Sequence, residues 1–593
     1  MRVRVTVLFV ALFAGWIVKE VRMASISVRS RLRGWGAPML TRCRSAGASL
    51  LLSVVCWLAA SPASGQHATL GTINFPNSGA AAAQPFFIEG VKFLHSFEWD
   101  DAADRFRKAQ QADPGFALAY WGEALSFTGG HHYPMQQDMS SARKALVKLA
   151  ATRAERLAKA PTERERGYLN AVEILYGEGD GQERAQRYAS AMGMLSERFP
   201  DDDEAATLHA LALMRTARRG VESVRVDMQA GAIALRVFRR NGNHPGAVHY
   251  IVHAFDEPTR AIIGLEAADV YASLAPDAPH ALHMPSHIYV QLGQWDKLSG
   301  ANERSYAASA RRSEQKQLRA IEGEAFHAMF WLHYAYLMQG NFAKADEALA
   351  LAGRHAKNLD AGSNRSGQYD TMVARHTIDT ARWRVVDVAP ILAEIKAAPD
   401  RLRPGVAGST LLATALSAAR LGNAAAAQLA AGGLRDLEAS MKARKAAETK
   451  QVEIMALEAD GMALLAGGDR NAAVKKLEQA ATTEESMDPP SGPPGEQDND
   501  PPIKPAHELL GEVLLEIGRP ADAAKQFAIG LDRMPNRPRL LLGSARAAVK
   551  VNDQTTAHLR YRQLLNLPGG GPDRPGLDEA KAFVASPSTP AGR

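Results

Sequence analysis

Two histidine pairs in the middle of the chain have the spacing of metal ligands. His249 and His253 are four residues apart, and so are His283 and His287. Residues four apart lie on the same face of a helix, so each pair can direct two imidazole rings at one point. Neutral imidazole suits Zn, Cu, Ni and Fe. The spacing therefore predicts that paired histidines bind a transition metal.

The two pairs are also related to each other by a repeat. Each histidine of the second pair follows its counterpart in the first by 34 residues, which is the period of the tetratricopeptide repeat. If one repeat begins at Pro245 and the next at Pro279, both pairs occupy positions 5 and 9 of a first helix, which face the concave groove. The sequence thus predicts one metal site on adjacent helices, formed by His249, His253, His283 and His287.

Three neighbouring side chains are candidates for additional ligands. Asp256 and Glu257 would supply carboxylate oxygens, and Met284 would supply a soft sulfur. Two prolines argue against regular helix at these positions, because the residue before a proline is disfavoured in helical geometry. Pro258 follows Glu257, and Pro285 follows Met284, so His283 is expected to lie just before the start of its helix.

The histidines also have an ordinary interpretation as groove residues that contact a bound peptide. Catalysis would require an open coordination position and a positioned base. The sequence contains no HExxH, GxSxG or P-loop motif, so it predicts no reaction and no cofactor other than a metal. The leading hypothesis is a scaffold that binds a protein, peptide or small ligand in its concave groove. The alternative is a metal-binding protein or metal-dependent enzyme that uses the four histidines.

Small and aromatic residues recur at the packing positions of the tetratricopeptide pattern. Gly90 and Phe106 take positions 8 and 24 of the first repeat, and Gly511 and Phe527 take the same positions in the last. The small residue lets two helices approach closely, and the bulky one fills the gap between them. No alternating strand pattern occurs. We predict an all-α solenoid of tetratricopeptide hairpins, with Arg537 interpreted as a cap at its end.

Composition divides the chain into six segments. Prolines between residues 486 and 505 forbid helix and are typical of a linker. The predicted organisation is a leader at 1–65, a flexible segment at 66–82, a helical array at 83–485 with histidine-rich repeats at 244–295, a Pro-rich linker at 486–505, a terminal repeat with capping helices at 506–568, and a tail at 569–593. His131 and His132 fall in a loop of the array.

The leader has the three parts of a secretory signal. Arg42 and Arg44 form a basic region, residues 48–60 an apolar region, and residues 63–65 a small-residue cleavage site. We therefore predict a periplasmic or secreted protein whose mature N-terminus lies at or near Gln66, which N-terminal sequencing would reveal.

Upstream of this signal lies a second apolar run, residues 5–18, which is short for a membrane span. One interpretation places the true start at Met39, so that residues 1–38 are not translated. The other is that the upstream run anchors an uncleaved N-terminal segment in the membrane. No other part of the sequence is expected to contact a membrane.

The basic character of the chain belongs to the leader. Residues 1–65 carry nine Lys or Arg and one Glu, while the whole chain has a net charge of +6, so the remainder is slightly acidic. A slightly acidic protein has no electrostatic reason to bind nucleic acid. Both cysteines, Cys43 and Cys56, also lie in the leader, so neither a disulfide nor thiolate chemistry is expected in the mature protein.

Four stretches resemble a family of exported bacterial tetratricopeptide proteins. They are AYWGEAL at 119–125, HPGAVHYIVHAFDEP at 244–258, HMPSHIYVQLGQW at 283–295 and KPAHELLGEVLLEIGRPADAAKQF at 504–527. The resemblance extends over nearly the whole mature chain, and the two histidine motifs are more specific than a generic repeat. It implies a helical-repeat fold and an exported location, and it implies no reaction.

Overall fold

The structure is all-helical wherever it is described. A computed structural model describes residues 70–129, 137–216, 221–321, 323–358, 364–444, 449–496 and 500–586, and these ranges contain helices and turns and no strand. The all-α prediction is confirmed. The leader at 1–65 and the loop histidines His131 and His132 lie outside the described residues, so export stays a prediction.

Consecutive helices pack against each other as hairpins, and the hairpins stack. The helices are α1 Gln84–His95, α2 Trp99–Ala112, α3 Ala117–Leu125, α4 Met139–Leu149, α5 Arg153–Ala158, α6 Glu163–Leu175, α7 Gly181–Arg198, α8 Asp203–Met214, α9 Val221–Arg240, α10 Pro245–Ala254, α11 Ala261–Leu274, α12 Pro279–His283, α13 Pro285–Gln291, α14 Trp295–Gln315, α15 Gly323–Gln339, α16 Phe342–Ala356, α17 Asn364–Asp379, α18 Ala389–Ala397, α19 Pro404–Arg420, α20 Ala424–Ala443, α21 Thr449–Ala466, α22 Arg470–Glu485, α23 Ala506–Glu516, α24 Pro520–Arg533, α25 Pro538–Lys550, α26 Gln554–Asn566 and α27 Leu577–Ala585. None of the helices in the described ranges has the length and apolar run needed to cross a membrane.

Glycine and phenylalanine pack as the tetratricopeptide pattern predicts. A Cβ added to Gly90 of α1 would lie 3.0 Å from Cε1 of Phe106 on α2. In the C-terminal part, a Cβ on Gly511 of α23 would lie 2.7 Å from Cε1 of Phe527 on α24. Real Cβ atoms do not tolerate such separations without movement of the neighbour. The prediction of tetratricopeptide hairpins is therefore confirmed by the contacts that define them.

Leucine at Gly90 should destabilise the first hairpin. The added side chain would push against Phe106 in a closely packed interface, which lowers the free energy of unfolding by about 1–3 kcal/mol. Chemical denaturation followed by circular dichroism measures the loss. Gly432→Leu on α20 is the matched control, because a Cβ there meets nothing closer than Nη2 of Arg435 at 3.6 Å. Equal losses in the two variants would contradict the packing argument.

Helices α10, α12 and α13 begin at prolines, which sets the register of the histidines. His244 is the N-cap of α10, and its Nδ1 accepts the backbone N–H of Ala247 at 3.2 Å. Helix α12 ends at His283 and α13 begins at Pro285, because proline has no N–H to continue the hydrogen-bond ladder. Met284, between them, keeps helical φ and ψ angles of −52° and −38°. The chain therefore changes helix within the second histidine pair without changing direction sharply.

Residues 488–496, which we call the covering segment, lie against helices α13 and α15. The Pro490 carbonyl accepts a hydrogen bond from Nε2 of Gln291 at 3.0 Å. Gly492 lies so close to Trp331 that a Cβ would approach Cζ2 of the indole to 2.5 Å. This part of the stretch expected as a linker has no helix, and it packs on the histidine-bearing helices.

The C-terminal part of the chain also returns to the middle of the array. The backbone N–H of Gly571 donates to the Gln339 carbonyl at 2.8 Å, and that of Asp573 donates to the Gly340 carbonyl at 2.9 Å. Residues 577–585, within the expected tail, form α27. The last hairpins are thus held by contacts far from them in sequence as well as by their neighbours.

Candidate metal centre

Six histidines on helices α10, α12, α13 and α15 form two clusters of three. In each cluster, one ring nitrogen from every histidine lies within 4.8 Å of the other two. The structure divides the four histidines of the sequence-predicted site between the clusters and adds one histidine to each. Cluster A consists of His249, His253 and His280, and cluster B consists of His283, His287 and His327.

In cluster B the three Nε2 atoms face one another. Nε2 of His283 lies 3.0 Å from Nε2 of His327 and 3.3 Å from Nε2 of His287. The rings pack around Trp331, whose centroid is 4.9 Å from that of His283 and 4.6 Å from that of His287. One point between the three nitrogens is therefore within reach of all three rings.

The Nδ1 atoms of cluster B point the opposite way, each to an oxygen. Nδ1 of His287 lies 2.7 Å from a carboxylate oxygen of Asp256, and Nδ1 of His327 lies 2.7 Å from one of Glu496. Nδ1 of His283 lies 2.8 Å from the side-chain oxygen of Asn302. These oxygens accept hydrogen bonds, so each Nδ1 carries the proton and each neutral ring has its lone pair on Nε2. Such outer partners orient histidine ligands of metals.

Cluster A is arranged in a similar way. Nδ1 of His249 donates to the backbone carbonyl of His95 at 2.6 Å, and its Nε2 lies 3.0 Å from Nε2 of His253. Nε2 of His280 is buried and has no hydrogen-bond partner among the described residues. A buried polar atom without a partner is unusual and requires an explanation. A bound cation between the three rings would provide one.

Phe97 holds the rings of cluster A in place. Its ring is stacked with those of His253 and His280, at centroid distances of 5.7 Å and 5.5 Å, and lies edge-on to His249 at 4.4 Å. Phe97 has a φ of 57°, a backbone conformation that is rare for a bulky residue. The strained turn after α1 therefore directs an aromatic ring against all three imidazole rings of the cluster.

Burial keeps the central ring of each cluster neutral. His249 and His283 are buried, and burial lowers the pKa of both well below the usual value, with the neighbouring histidines adding to the effect. Burial also acts to lower the pKa of His327, but the charge of Glu496 and its hydrogen bond outweigh it and raise that pKa to about 9. At neutral pH the two central rings are therefore in the form that binds metals.

The three additional ligands expected from the sequence lie outside the clusters. Asp256 accepts the hydrogen bond of His287, and burial raises the pKa of Asp256, an effect that His287 offsets in part. Glu257 pairs with Arg260 at 3.0 Å. Met284 is buried in the hydrophobic core. Of the three, Asp256 is the one that contacts a cluster, as an orienting group.

A third group of possible metal ligands consists of His95, Glu204 and His244, and each of its ring nitrogens has a hydrogen-bond partner. Nε2 of His95 and Nε2 of His244 lie 2.7 Å and 3.1 Å from the two carboxylate oxygens of Glu204. Nδ1 of His95 lies 2.9 Å from the Tyr250 hydroxyl, and Nδ1 of His244 accepts the Ala247 N–H. All four ring nitrogens have hydrogen-bond partners in the protein, so this group is a structural network and offers no lone pair to a metal.

Sequence reasoning missed His280, His327 and Glu496 as members of the site. His280 stands three residues before His283, so the same helix-face argument that selected the pairs could have included it. His327 has no histidine four residues from it, and Glu496 falls in the stretch predicted as a linker. Only the tertiary structure brings these two residues together.

Comparison with known proteins adds nothing on function. No protein-family model matches the chain, and no curated protein matches it. Among solved structures, the chain is similar to the APC/C hetero-tetramer Cut9-Hcn1, with 12% identity, coverage of 91% of this chain and 82% of that chain, and a TM-score of 0.27. A likeness at this level supports no argument about function. Membership of the exported bacterial family suggested by the motifs stays a prediction.

Proposed function

We propose that this protein binds transition-metal ions in clusters A and B. The observation that carries the proposal is the convergence of the three Nε2 atoms of cluster B, whose Nδ1 atoms all face oxygen acceptors on the outer side. If all three rings are neutral, their Nε2 lone pairs repel one another at these separations unless a cation lies between them; without a metal, a proton on His327, whose pKa is raised, takes that place. A proton could bridge two of the nitrogens, whereas a metal ion satisfies all three.

The network around Glu204 shows the ordinary alternative within the same molecule. There a carboxylate lies between two buried histidines and accepts a hydrogen bond from each. In cluster B the carboxylates lie on the outer side of the rings instead, and nitrogen faces nitrogen. This arrangement of carboxylate, histidine and central cation is the usual one in protein metal sites.

The donor set indicates the class of metal. Three neutral imidazoles without a thiolate or an inner carboxylate suit Cu, Zn, Ni or Fe, and are poor ligands for Mg and Ca. A site with three protein ligands keeps a coordination position open, as catalytic and exchangeable sites do, while structural zinc sites are usually closed by four. The proposed ions would therefore be able to bind a further ligand from solution.

Metal retention by protein purified without a histidine tag tests the proposal. After loading with Cu or Zn and dialysis, we expect two ions per chain, one for each cluster. Ligand that binds only the folded state stabilises it, by about 2.7 kcal/mol when free metal is 100 times Kd, so the melting temperature should rise. A protein that retains no ion and melts at an unchanged temperature would contradict the proposal.

A scaffold role is the second candidate, favoured by a groove in the C-terminal part. Helical-repeat arrays present extended surfaces to other proteins, which supports a protein-interaction role in general. The groove has a volume of about 690 Å³ and is lined by apolar and charged side chains of α19, α23 and α25. A protein or peptide partner there would be compatible with metal binding, because the groove residues do not include the clusters. If metal is not retained, this candidate stands alone.

A further inference from the structure

Clusters A and B lie side by side. Ring centroids within a cluster are 4.4 to 5.2 Å apart for the four pairs around His249 and His283. Between the clusters, the rings of His253 and His287 are 6.4 Å apart, and those of His280 and His283 are 6.5 Å apart. Rings that would bind different ions are thus separated by little more than rings that would bind the same ion.

Each cluster also includes a ring that reaches solvent. His249 and His283 are buried. The side chains of His280 in cluster A and of His287 and His327 in cluster B are 19%, 18% and 29% exposed. A small solute can therefore reach at least one ring of each cluster from solvent.

Charge favours an anion in this position. All six rings are neutral ligands when they bind metals, so two divalent ions would bring their full charge into the centre. The nearby carboxylates of Asp256, Glu496 and Glu324 face Nδ1 atoms of His287, His327 and His280 on the outer side of the rings. Bound cations are the largest local charges in such a site. The space between the ions is where a negative ligand would compensate them best.

We propose that clusters A and B form one dinuclear centre, in which the two metal ions share a small bridging anion taken from solvent. This inference rests on the proposed function, since it requires both clusters to hold metal. Two-metal sites in proteins have ions about 3.5–4 Å apart, and metal–nitrogen bonds to histidine are about 2.0–2.1 Å long. With such bonds, the adjoining rings of the two clusters leave the ions within reach of one anion of one to three atoms.

Copper(II) and azide provide the test. Two Cu(II) ions that share a bridging anion couple their spins, and the electron paramagnetic resonance signal is lost, whereas separate ions give full intensity. We expect copper-loaded protein to contain two copper ions per chain and to show little of this signal when azide is present as the bridging anion. Optical titration should give one azide bound per chain.

Single-cluster variants identify the source of the coupling. His253→Gln removes a ligand of cluster A, and His287→Gln removes one of cluster B; both rings are at least partly exposed, so neither change empties a buried core position. Each variant should retain one copper ion with full signal intensity, with or without azide. His355→Gln is the matched control, because this partly buried histidine belongs to neither cluster. It should behave like the parent protein.

The outcomes separate this inference from the proposed function. Two copper ions per chain with full signal intensity in the presence of azide, or two azide ions bound independently, would overturn the shared centre and leave metal binding intact. A chain that retains no copper would overturn both. Loss of coupling in His253→Gln and His287→Gln, with retention in His355→Gln, would support the dinuclear centre.

Discussion

His283→Ala should remove the metal ion of cluster B. Nε2 of His283 lies closest to the other two nitrogens of its cluster, so its loss leaves only two ligands, on different helices. His249→Ala should remove the ion of cluster A for the same reason, because His249 contacts both partner rings. Elemental analysis of untagged protein after dialysis should show one ion per chain in each variant.

The controls for this prediction are two histidines outside the clusters. His244→Ala and His355→Ala should keep both ions, because His244 caps α10 and pairs with Glu204, and His355 pairs with Tyr306. Melting curves of the metal-free variants show whether each one folds. A folded His283→Ala protein that still holds two ions would contradict the assignment of cluster B.

Changing Glu496, which orients His327, should weaken metal binding by cluster B without abolishing it. Glu496→Gln keeps the size of the side chain but replaces the carboxylate that accepts the Nδ1 hydrogen. Loss of such an outer partner typically weakens metal binding about 10–100-fold. Calorimetric titration of cluster B, in a protein whose cluster A carries the His253→Gln change, measures the affinity. Unchanged affinity would show that the covering segment plays no part in binding.

Arg537→Met should lower the free energy of unfolding by about 3–5 kcal/mol, because it removes the guanidinium that pairs with two buried carboxylates. Arg537 is 2% exposed, and its guanidinium lies 2.6 Å from Glu508 and 2.9 Å from Asp379. Burial acts to raise the pKa of Glu508, but Arg537 and Lys504 outweigh it and hold that pKa below its usual range. The interpretation of Arg537 as an end cap is wrong, since it is a buried link between α17, α23 and α25.

Two further variants show whether charge is the cause of this loss. Arg420→Met removes an arginine that pairs with Glu516 at the exposed edge of the same groove, and such pairs contribute about 0–1 kcal/mol. Adding Glu508→Gln to Arg537→Met removes one of the two carboxylates that lost Arg537 and should recover part of the stability. Urea denaturation of the four proteins measures these differences. Equal losses in Arg420→Met and Arg537→Met would refute the burial argument.

The sequence predicted what depends on local pattern. The helices, the proline starts of α10 and α13, and the pairing of His249 with His253 all follow from spacing and from the geometry of a single helix. Residue spacing could not show that the two pairs belong to separate clusters, because it does not give the distances between side chains on adjacent helices. Each cluster took its third histidine, His280 or His327, from another helix.

Amino-acid composition likewise predicted only part of the structure of the covering segment. The prolines between residues 486 and 505 predict that no helix forms, and the described residues 486–496 and 500–505 contain none, but prolines do not show what this segment lies against. Glu496 reaches His327 across 169 positions of sequence, and no local pattern records such a contact. Contacts of this kind are decided by the stacking of the hairpins, which a single sequence does not display.

Hydrogen bonds between residues far apart in sequence affect how this helical array should fold. In a simple repeat protein each unit touches its neighbours, so units can be removed and folding can spread from any point. Here the hydrogen bond from His249 to the His95 carbonyl spans 154 residues, and that from Asn536 to the Gln291 carbonyl spans 245. Closing such loops is slow and must precede the stabilisation they bring. The chain is therefore built to form as a whole, and its repeats are not interchangeable modules.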